Sequence, residues 1–211
     1  MDHKNINYWK DKFEGYLEDN PSDDGSHDLT HFKRVWNLAK KLSSENEDLL
    51  VILAACYFHD IVNYPKDDPR RSMSSKDSAS KATEILLSFK FDKEKIPLVA
   101  HCIEAHSYSA NIETKTREAQ IVQDADRMES LGAIGLARTF YVAGRMGSKL
   151  FCGKDPFAEN RELNDKIYAV DHFKNKLLKL PKTMKTEEGR KEATKRAEFL
   201  KLFLETLKSE L

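Results

Sequence analysis

The sequence LLVILAACYF, residues 49–58, is an unbroken apolar run that decides the fold. It is too long for most strands and contains two alanines, so it predicts a helix buried on all sides at the centre of the protein. The run leads directly into His59 and Asp60. Burying an unpaired carboxylate is costly, so this pair needs compensation, either from a divalent cation or from a His–Asp hydrogen bond in the core. The dipeptide alone leaves both explanations open.

The segments on both sides of this run also predict helices. Apolar residues recur at intervals of three and four, the chain has only 8 Gly and 6 Pro, and we find no convincing strand. The fold class is therefore expected to be all-α, with an irregular excursion over residues 141–164, where glycine and proline mix with aromatic residues. The remaining predicted helices cover about 5–17, 29–42, 77–89, 93–106, 114–140, 163–180 and 186–207.

Composition narrows the functional classes. A chain of 211 residues fits one compact domain. Its 35 Lys+Arg balance 35 Asp+Glu, so no global field favours nucleic acid or acidic lipid as a partner. The polar start and the lack of a long apolar stretch predict a cytoplasmic protein with no membrane partner. Cys56, Cys102 and Cys152 are far apart and form no CxxC pair, which favours reduced thiols over a disulfide or zinc-thiolate framework.

Histidines and carboxylates are the remaining candidates for chemistry, because the usual nucleophile and phosphate-loop motifs are absent. His31 lies in the first turn of the predicted helix 29–42, and Asp124 and Asp126 lie in the predicted helix 114–140. Together with the His59-Asp60 doublet they offer imidazole and carboxylate donors of the kind that Mn²⁺, Fe²⁺, Ni²⁺ or Zn²⁺ selects. Such a mixed set leaves positions open for water and substrate.

The order His31, His59-Asp60, Asp126 resembles the signature of the HD-domain metal-dependent phosphohydrolases, an all-helical superfamily. The similarity covers most of residues 25–185 and is greatest with a bacterial branch of stand-alone HD proteins. Some members of that branch are deoxynucleoside triphosphate pyrophosphohydrolases that use Mn²⁺. The segments that carry the resemblance are GSHDLTHFKRVWNLA, AACYFHDIVNYPKDDPRRSMSS, HCIEAHSYSA, IVQDADRMESLGAIGLAR and DKIYAVDHFKNKLLKLPKTM.

The resemblance implies an HD-domain helical bundle over residues 1–211, with a metal-site core at about 25–140 and a C-terminal helical extension at about 141–211. One divalent cation is then held by His31, His59, Asp60 and Asp126. Mn²⁺ is the first expectation, with Ni, Fe, Co or Zn as alternatives. The expected reaction is hydrolysis of a nucleotide phosphate or pyrophosphate bond by metal-activated water, with conversion of a dNTP to dNMP and pyrophosphate as one form.

Two other functions stay open at this point. A nucleoside monophosphate phosphatase would use the same chemistry and release orthophosphate. A non-catalytic nucleotide-binding or metal-binding module would use the same residues without turnover, although a purely structural site more often has four strong nitrogen and sulfur donors. The expected partner is in each case a small phosphorylated molecule rather than a nucleic acid, and a homo-oligomer is left open.

Asp124 and Asp126 compete for the last ligand position. Two residues on a helix are separated by about 200°, so only one of them readily faces a given ion. Asp124 shares its side with apolar residues, and hydrophobic phase alone would turn it inward, whereas Asp126 lies on a mixed stripe. The resemblance favours Asp126, because the segment ADRMESL is similar to the one in which HD proteins place the final carboxylate. Asp124 is then expected to support catalysis by orienting a ligand.

Cations near the predicted ligands are candidates for phosphate contacts. Arg34 follows His31 by about one turn and is expected to clamp a phosphate, with a surface ion pair as the alternative. Lys66, Arg70 and Arg71 lie in the loop after the doublet. They are candidate substrate-binding residues on a mobile loop that closes over the substrate, and surface ion pairs are the equal alternative.

His101 and His106 are candidates for a general acid or a phosphate contact. They lie five residues apart, about 140° around a helix, so they do not both face one point. The resemblance implies a site with one metal ion, because binuclear HD relatives take extra histidine ligands from separate helices and this close pair does not match that arrangement. For either residue, the alternative is a hydrogen-bonded histidine near a helix end without a catalytic role.

Overall fold

The structure is a computed structural model, and it describes residues 5–21, 28–64, 68–107 and 110–211. Those residues form α-helices and 3-10 helices, with one isolated bridge between Lys149 and Tyr168 and no strand in the described ranges. The prediction of an all-α fold is confirmed. The α-helices are α1 (Ile6–Asp19), α2 (Leu29–Leu42), α3 (Leu49–Phe58), α4 (Ser74–Ser88), α5 (Ile96–His106), α6 (Arg117–Met128), α7 (Gly132–Arg145), α8 (Asp171–Asn175) and α9 (Glu187–Ser209), and the 3-10 helices are Arg71–Met73 and Leu177–Thr183.

Polar side chains fix the starts of several helices. Asn5 accepts hydrogen bonds from backbone N–H groups in the first turn of α1, and Asp48 does the same for α3. Asp28 accepts from the backbone N–H of His31 at 3.0 Å and so sets where α2 begins. Such caps satisfy N–H groups that have no partner within the helix. The cap at Asp28 therefore also fixes the first turn of α2, which carries His31.

The apolar run at residues 49–58 forms α3, with the limits expected from the sequence. Every residue from Leu50 to Phe58 is buried. Helices α1, α2, α4 and α5 all contact α3. These elements belong to a compact unit that spans residues 1–126, and α3 is the centre of its core. The prediction of a helix buried on all sides is confirmed.

Residues 127–211 form a second compact unit, which contains α7, α8 and α9. In this unit α9 packs on α7 and on the 3-10 helix Leu177–Thr183. The assignment of the whole chain to one domain stays a prediction. Within the described ranges, no helix combines the length and the apolar character that a membrane span requires.

The predicted helix over 114–140 is wrong as a single element. The structure has two helices, because Leu131 is extended (ψ 163°) and Gly132 has a φ of +67°. A residue with a side chain rarely adopts that positive φ, so the chain turns here and restarts. Helix α7 then continues to Arg145, into the segment that the sequence analysis assigned to an irregular excursion.

The predicted helix over 163–180 is also wrong in its first part. The carboxylate of the buried Asp171 accepts two hydrogen bonds from the Arg161 guanidinium, at 2.6 and 2.7 Å, and one from the backbone N–H of Asn164 at 2.6 Å. These bonds hold the preceding segment in an irregular path. Only α8 and the 3-10 helix follow, and Pro181 within the latter lacks a backbone donor.

Candidate metal centre

Four side chains that the sequence analysis named as metal ligands lie together in the structure. His31 comes from the first turn of α2, His59 and Asp60 follow the last residue of α3, and Asp126 lies near the end of α6. One donor atom from each lies within 4.8 Å of every other. We call these four residues the HD cluster. His31 and His59 are fully buried, whereas the two carboxylates are partly exposed.

The spacing of the donor atoms suits a single first-row ion. Donors bonded at about 2.1 Å to one ion lie roughly 3 to 4.2 Å apart. The Nε2 atoms of His31 and His59 are separated by 3.2 Å. Asp126 Oδ1 lies 3.7 Å from the first of these nitrogens and 3.5 Å from the second. Asp60 Oδ2 lies 3.7 Å from His59 Nε2. The widest separation, up to 4.8 Å, is slightly larger than this range. The residues present therefore fit a divalent cation.

The orientation of the His59 ring is fixed by the backbone of α3. Its Nδ1 lies 2.9 Å from the carbonyl oxygen of Cys56, a distance at which an Nδ1–H donates. That bond leaves the lone pair of a neutral ring on Nε2, which points into the HD cluster. Metal-ligating histidines commonly have such a second hydrogen bond, because it sets the tautomer and the direction of the ring.

Interactions within the HD cluster favour the protonated form of His59 and the ionised form of Asp126. Burial lowers the pKa of His59, but the charge of Asp60 and the ion pair with Asp126 outweigh it and raise the pKa to about 9. For Asp126, burial raises the pKa, while the contact with His59 and the charges of His59 and His106 hold it well below its usual range. A cation placed among these atoms would take over the role of the proton on His59.

His106, the last residue of α5, also lies at this site. Its Nδ1 lies 2.6 Å from the carbonyl oxygen of Ile103, and its Nε2 lies 3.4 Å from Asp60 Oδ1. The ring meets the His59 ring edge-on, with centroids 4.8 Å apart. Asp60 thus directs one oxygen toward His59 and the other toward His106. The structure brings this candidate residue to the HD cluster.

The HD cluster includes Asp126 and does not include Asp124. Both residues lie on α6, and Asp124 is fully buried. This placement agrees with hydrophobic phase for Asp124 and with the resemblance for Asp126. The part that each residue plays in metal binding stays a prediction.

Arg34 lies one turn beyond His31 on α2 and is partly exposed. Its guanidinium donates to Thr30 Oγ1 at 3.1 Å, and the Thr30 hydroxyl donates to Asp28 at 2.7 Å. The side chain therefore points back toward the N-terminal end of α2, the end that carries His31.

His101 takes part in a different contact from His106. Its Nε2 accepts a hydrogen bond from the backbone N–H of Lys115 at 3.0 Å. The interaction ties α5 to the segment that precedes α6, and it uses the lone pair on that ring nitrogen. The two histidines thus differ in surroundings, as their angular separation on α5 predicts.

Two of the loop cations, Arg70 and Arg71, have partners near them in the chain. Arg70 donates to the Asp68 carboxylate at 3.1 and 2.9 Å and stacks over the Tyr64 ring at 4.3 Å. Arg71 donates to Asn63 Oδ1 at 2.7 Å and to the carbonyl oxygen of Tyr64. Their expected role as substrate-binding residues stays a prediction. Lys66, the third of these candidates, lies outside the described residues.

One buried residue beside the segment after Asp60 was not predicted from the sequence. Ser78 of α4 is fully buried and forms two hydrogen bonds to the backbone of Val62, two residues after Asp60. Its sequence signal is weak, because Ser78 is one of three buried serines on α4, with Ser74 and Ser75.

Comparisons with known proteins agree with this geometry. A family model described as "HD domain" matches residues 28–131, which contain the whole HD cluster. The uncharacterized protein YpgQ of Bacillus subtilis is 31% identical over 190 residues, which cover 88% of this chain and 84% of that protein.

Solved structures show the same similarity. The crystal structure of Bacillus subtilis YpgQ in complex with ADP has a TM-score of 0.74 and 28% identity, and the match covers 96% of this chain and 94% of that one. An HD-superfamily hydrolase of Bacillus thuringiensis has a TM-score of 0.72 and 28% identity, with 97% of each chain covered. The similarity thus extends well beyond the residues of the HD cluster.

Proposed function

The chain belongs to the HD-domain superfamily of hydrolases, and we propose that it is a metal-dependent phosphohydrolase that cleaves a phosphate or pyrophosphate bond of a nucleotide. The observation that carries this proposal is the HD cluster. It gathers two imidazoles and two carboxylates within 4.8 Å of one another, at spacings that suit a first-row ion. A structural site would more often be closed by four nitrogen and sulfur donors.

Each residue of the HD cluster has a distinct task in this proposal. Asp60 and Asp126 supply the negative charge that holds the cation. His31 and His59 supply neutral nitrogen donors, so His59 has to release the proton that its raised pKa favours. When bound, a divalent cation supplies a Lewis acid and an activated water. The reaction then needs no serine or cysteine nucleophile.

The nucleotide character of the substrate is supported by the relative that was solved with ADP. Conversion of a dNTP to dNMP and pyrophosphate is the specific form that we place first. Mn²⁺ is the proposed cation, at one ion per site, because imidazole and carboxylate together suit it. Ni, Fe, Co and Zn share much of that preference and are alternatives.

His106 is the residue that we assign to proton transfer or phosphate contact. Its Nδ1 faces the Ile103 carbonyl, so its Nε2 is the atom that faces the site, 3.4 Å from Asp60. A proton at Nε2 has a short path to an oxygen bound beside Asp60. His101 is the weaker candidate for this role, because the backbone of Lys115 already uses its Nε2.

Arg34 is the cation that we assign to a substrate phosphate. It lies on the same helix as His31 and points toward the same helix end. Arg70 and Arg71 would contribute only if substrate draws them from their present partners in the loop. We propose that Asp124 orients a ligand from its buried position on α6.

The proposal is tested by incubating metal-stripped protein with Mn²⁺ and a panel of nucleoside mono-, di- and triphosphates. The products are identified as pyrophosphate or orthophosphate. We expect pyrophosphate from a triphosphate. Orthophosphate from monophosphates would favour a phosphatase, and a lack of turnover with retained Mn²⁺ binding would favour a binding module.

The matched variants are His59→Ala, Asp60→Ala and His172→Ala. The first two should lose metal and activity while helical content by circular dichroism stays largely intact. His172 also contacts an aspartate, with its Nδ1 2.8 Å from Asp165 Oδ2, but it lies in the unit of residues 127–211, so its loss should leave metal content unchanged. Retention of metal by His59→Ala would indicate that the doublet is a core hydrogen bond instead.

A further inference from the structure

The backbone that carries Asp60 lies outside any helix. Helix α3 ends at Phe58, and Asp60 lies two residues further on. A backbone hydrogen bond joins the N–H of Ile61 to the carbonyl oxygen of Phe58, at 3.3 Å. A carboxylate that holds a cation needs a fixed direction, so the segment after α3 requires an anchor from another element.

Ser78 supplies such an anchor from α4. Its hydroxyl accepts the backbone N–H of Val62 at 3.1 Å and donates to the carbonyl oxygen of the same residue, also at 3.1 Å. One side chain therefore satisfies both backbone polar groups of a residue that lies two positions after Asp60. Ser78 is fully buried, so water does not compete with these bonds.

The anchor belongs to a set of contacts between residues 62–64 and the start of α4. The Ser74 hydroxyl accepts the backbone N–H of Tyr64 at 3.3 Å, and the Tyr64 hydroxyl donates to Asp77 at 2.9 Å. Arg71 donates to Asn63 Oδ1 at 2.7 Å. Among these contacts, that of Ser78 is the closest in sequence to Asp60. Its loss should therefore move the Asp60 carboxylate more than the loss of any of the others.

A neighbouring serine shows that burial alone does not create this role. Ser75 is on the same helix and is buried, but its hydroxyl has no hydrogen-bond partner among the described residues. The two serines therefore separate the effect of removing a buried hydroxyl from the effect of releasing Val62.

We propose that Ser78 is a positioning residue for the HD cluster: its hydroxyl holds Val62 and thereby the direction of the Asp60 carboxylate. The two oxygens of Asp60 face different groups, His59 Nε2 at 3.7 Å and His106 Nε2 at 3.4 Å. A rotation of this carboxylate would change both contacts. This proposal rests on one part of the proposed function, the binding of a metal ion by the HD cluster, and it does not depend on the substrate.

The test compares Ser78→Ala, Ser75→Ala and Ser78→Thr with the unchanged full-length protein. Mn²⁺ affinity is measured by titration calorimetry at a temperature far below the unfolding midpoint of every variant. The visible absorption spectrum of the Co²⁺-loaded protein gives a second readout, because it reports the arrangement of the ligands. Turnover is measured separately, so that a protein that binds Mn²⁺ but hydrolyses nothing contradicts the proposed function and leaves this test intact.

We expect Ser78→Ala to weaken Mn²⁺ binding roughly 10-fold or more, as the loss of a group that orients a ligand commonly does, and to change the Co²⁺ spectrum. Ser75→Ala should match the unchanged protein, and Ser78→Thr, which keeps a hydroxyl, should recover affinity. The proposal is overturned if Ser78→Ala only lowers the unfolding midpoint, if both alanine variants weaken binding equally, or if the unchanged protein does not bind Mn²⁺.

Discussion

Replacing Asp126 with asparagine tests the HD cluster at the carboxylate that lies close to both of its histidines. The substitution keeps the shape of the side chain and removes one negative charge. Asp126 Oδ1 lies 3.7 Å from His31 Nε2 and 3.5 Å from His59 Nε2, so an ion shared by these nitrogens lies close to this oxygen. We therefore expect Asp126→Asn to weaken metal binding strongly while the helices stay intact.

The size of the effect follows from the charges. Two unit charges 4 Å apart attract by about 4 kcal/mol near a protein surface, and a divalent ion doubles this to about 8 kcal/mol. If the cost of removing water from the carboxylate offsets about half, about 4 kcal/mol remains, which corresponds to a roughly 1000-fold loss of affinity. Asp124→Asn is the matched control on α6. It should weaken binding by roughly 10- to 100-fold if Asp124 orients a ligand.

Calorimetric titration of both metal-stripped variants with Mn²⁺, and metal content after purification, measure the difference. Circular dichroism checks that each variant is folded. A metal-loaded Asp126→Asn beside a metal-free Asp124→Asn would reverse the two assignments. Equal affinities for both variants and the unchanged protein would refute the reasoning as a whole, because neither carboxylate would then contribute to a metal site.

Three further predictions follow from the same structure. Since the pKa of His59 is raised to about 9, the ring is protonated at neutral pH without a cation and has to lose a proton when Mn²⁺ binds. The Mn²⁺ affinity measured by calorimetry should therefore rise about tenfold per pH unit between pH 6 and 8, and an affinity that does not change with pH would contradict this. After chelation, Mn²⁺ should restore activity in the hydrolysis assay better than Ca²⁺, which prefers a cage of oxygens, and equal rescue would count against a histidine-containing site. An added Cβ at Gly135 would overlap the backbone carbonyl of Ser130, so Gly135→Ala should lower the free energy of unfolding in urea by about 1–3 kcal/mol. Gly144→Ala on the same helix meets nothing within 4 Å and should be neutral or stabilising, so equal losses would show that the close approach is unimportant.

Local sequence patterns predicted the helices whose limits are set by residues within or next to the helix itself. Helix α3 has the limits of its apolar run, and the sequence around it marks its start, because the Asp48 side chain caps the first turn. Residues 163–170 are not helical for a reason that is not local. A buried carboxylate at Asp171 draws in the Arg161 guanidinium from ten residues away, and no periodicity within the segment indicates that pairing.

In the loop after the doublet, the roles of the arginines also depend on contacts that the sequence alone does not show. The sequence leaves two roles open for Arg70 and Arg71, a contact to the substrate phosphate or a surface ion pair. In the structure Arg70 pairs with Asp68, and Arg71 bonds to Asn63. The positive charge of an arginine does not show whether it binds substrate or stabilises its own loop. That role depends on which hydrogen-bond acceptors the fold places near the guanidinium.

The residues of the HD cluster, and His106 beside it, all lie at or next to the ends of helices. His31 lies in the first turn of α2, Asp60 lies just beyond the end of α3, His106 is the last residue of α5, and Asp126 lies within the last turn of α6. Hydrophobic periodicity predicts the buried face along the middle of each helix, but it does not predict which helix ends lie together in the fold. The order of residue types along the chain is what pointed to these positions. The ends meet because α3 contacts both α2 and α5 in one core, and the direction of each side chain is then set by contacts that only the folded chain provides, such as the bond from His59 to the Cys56 carbonyl.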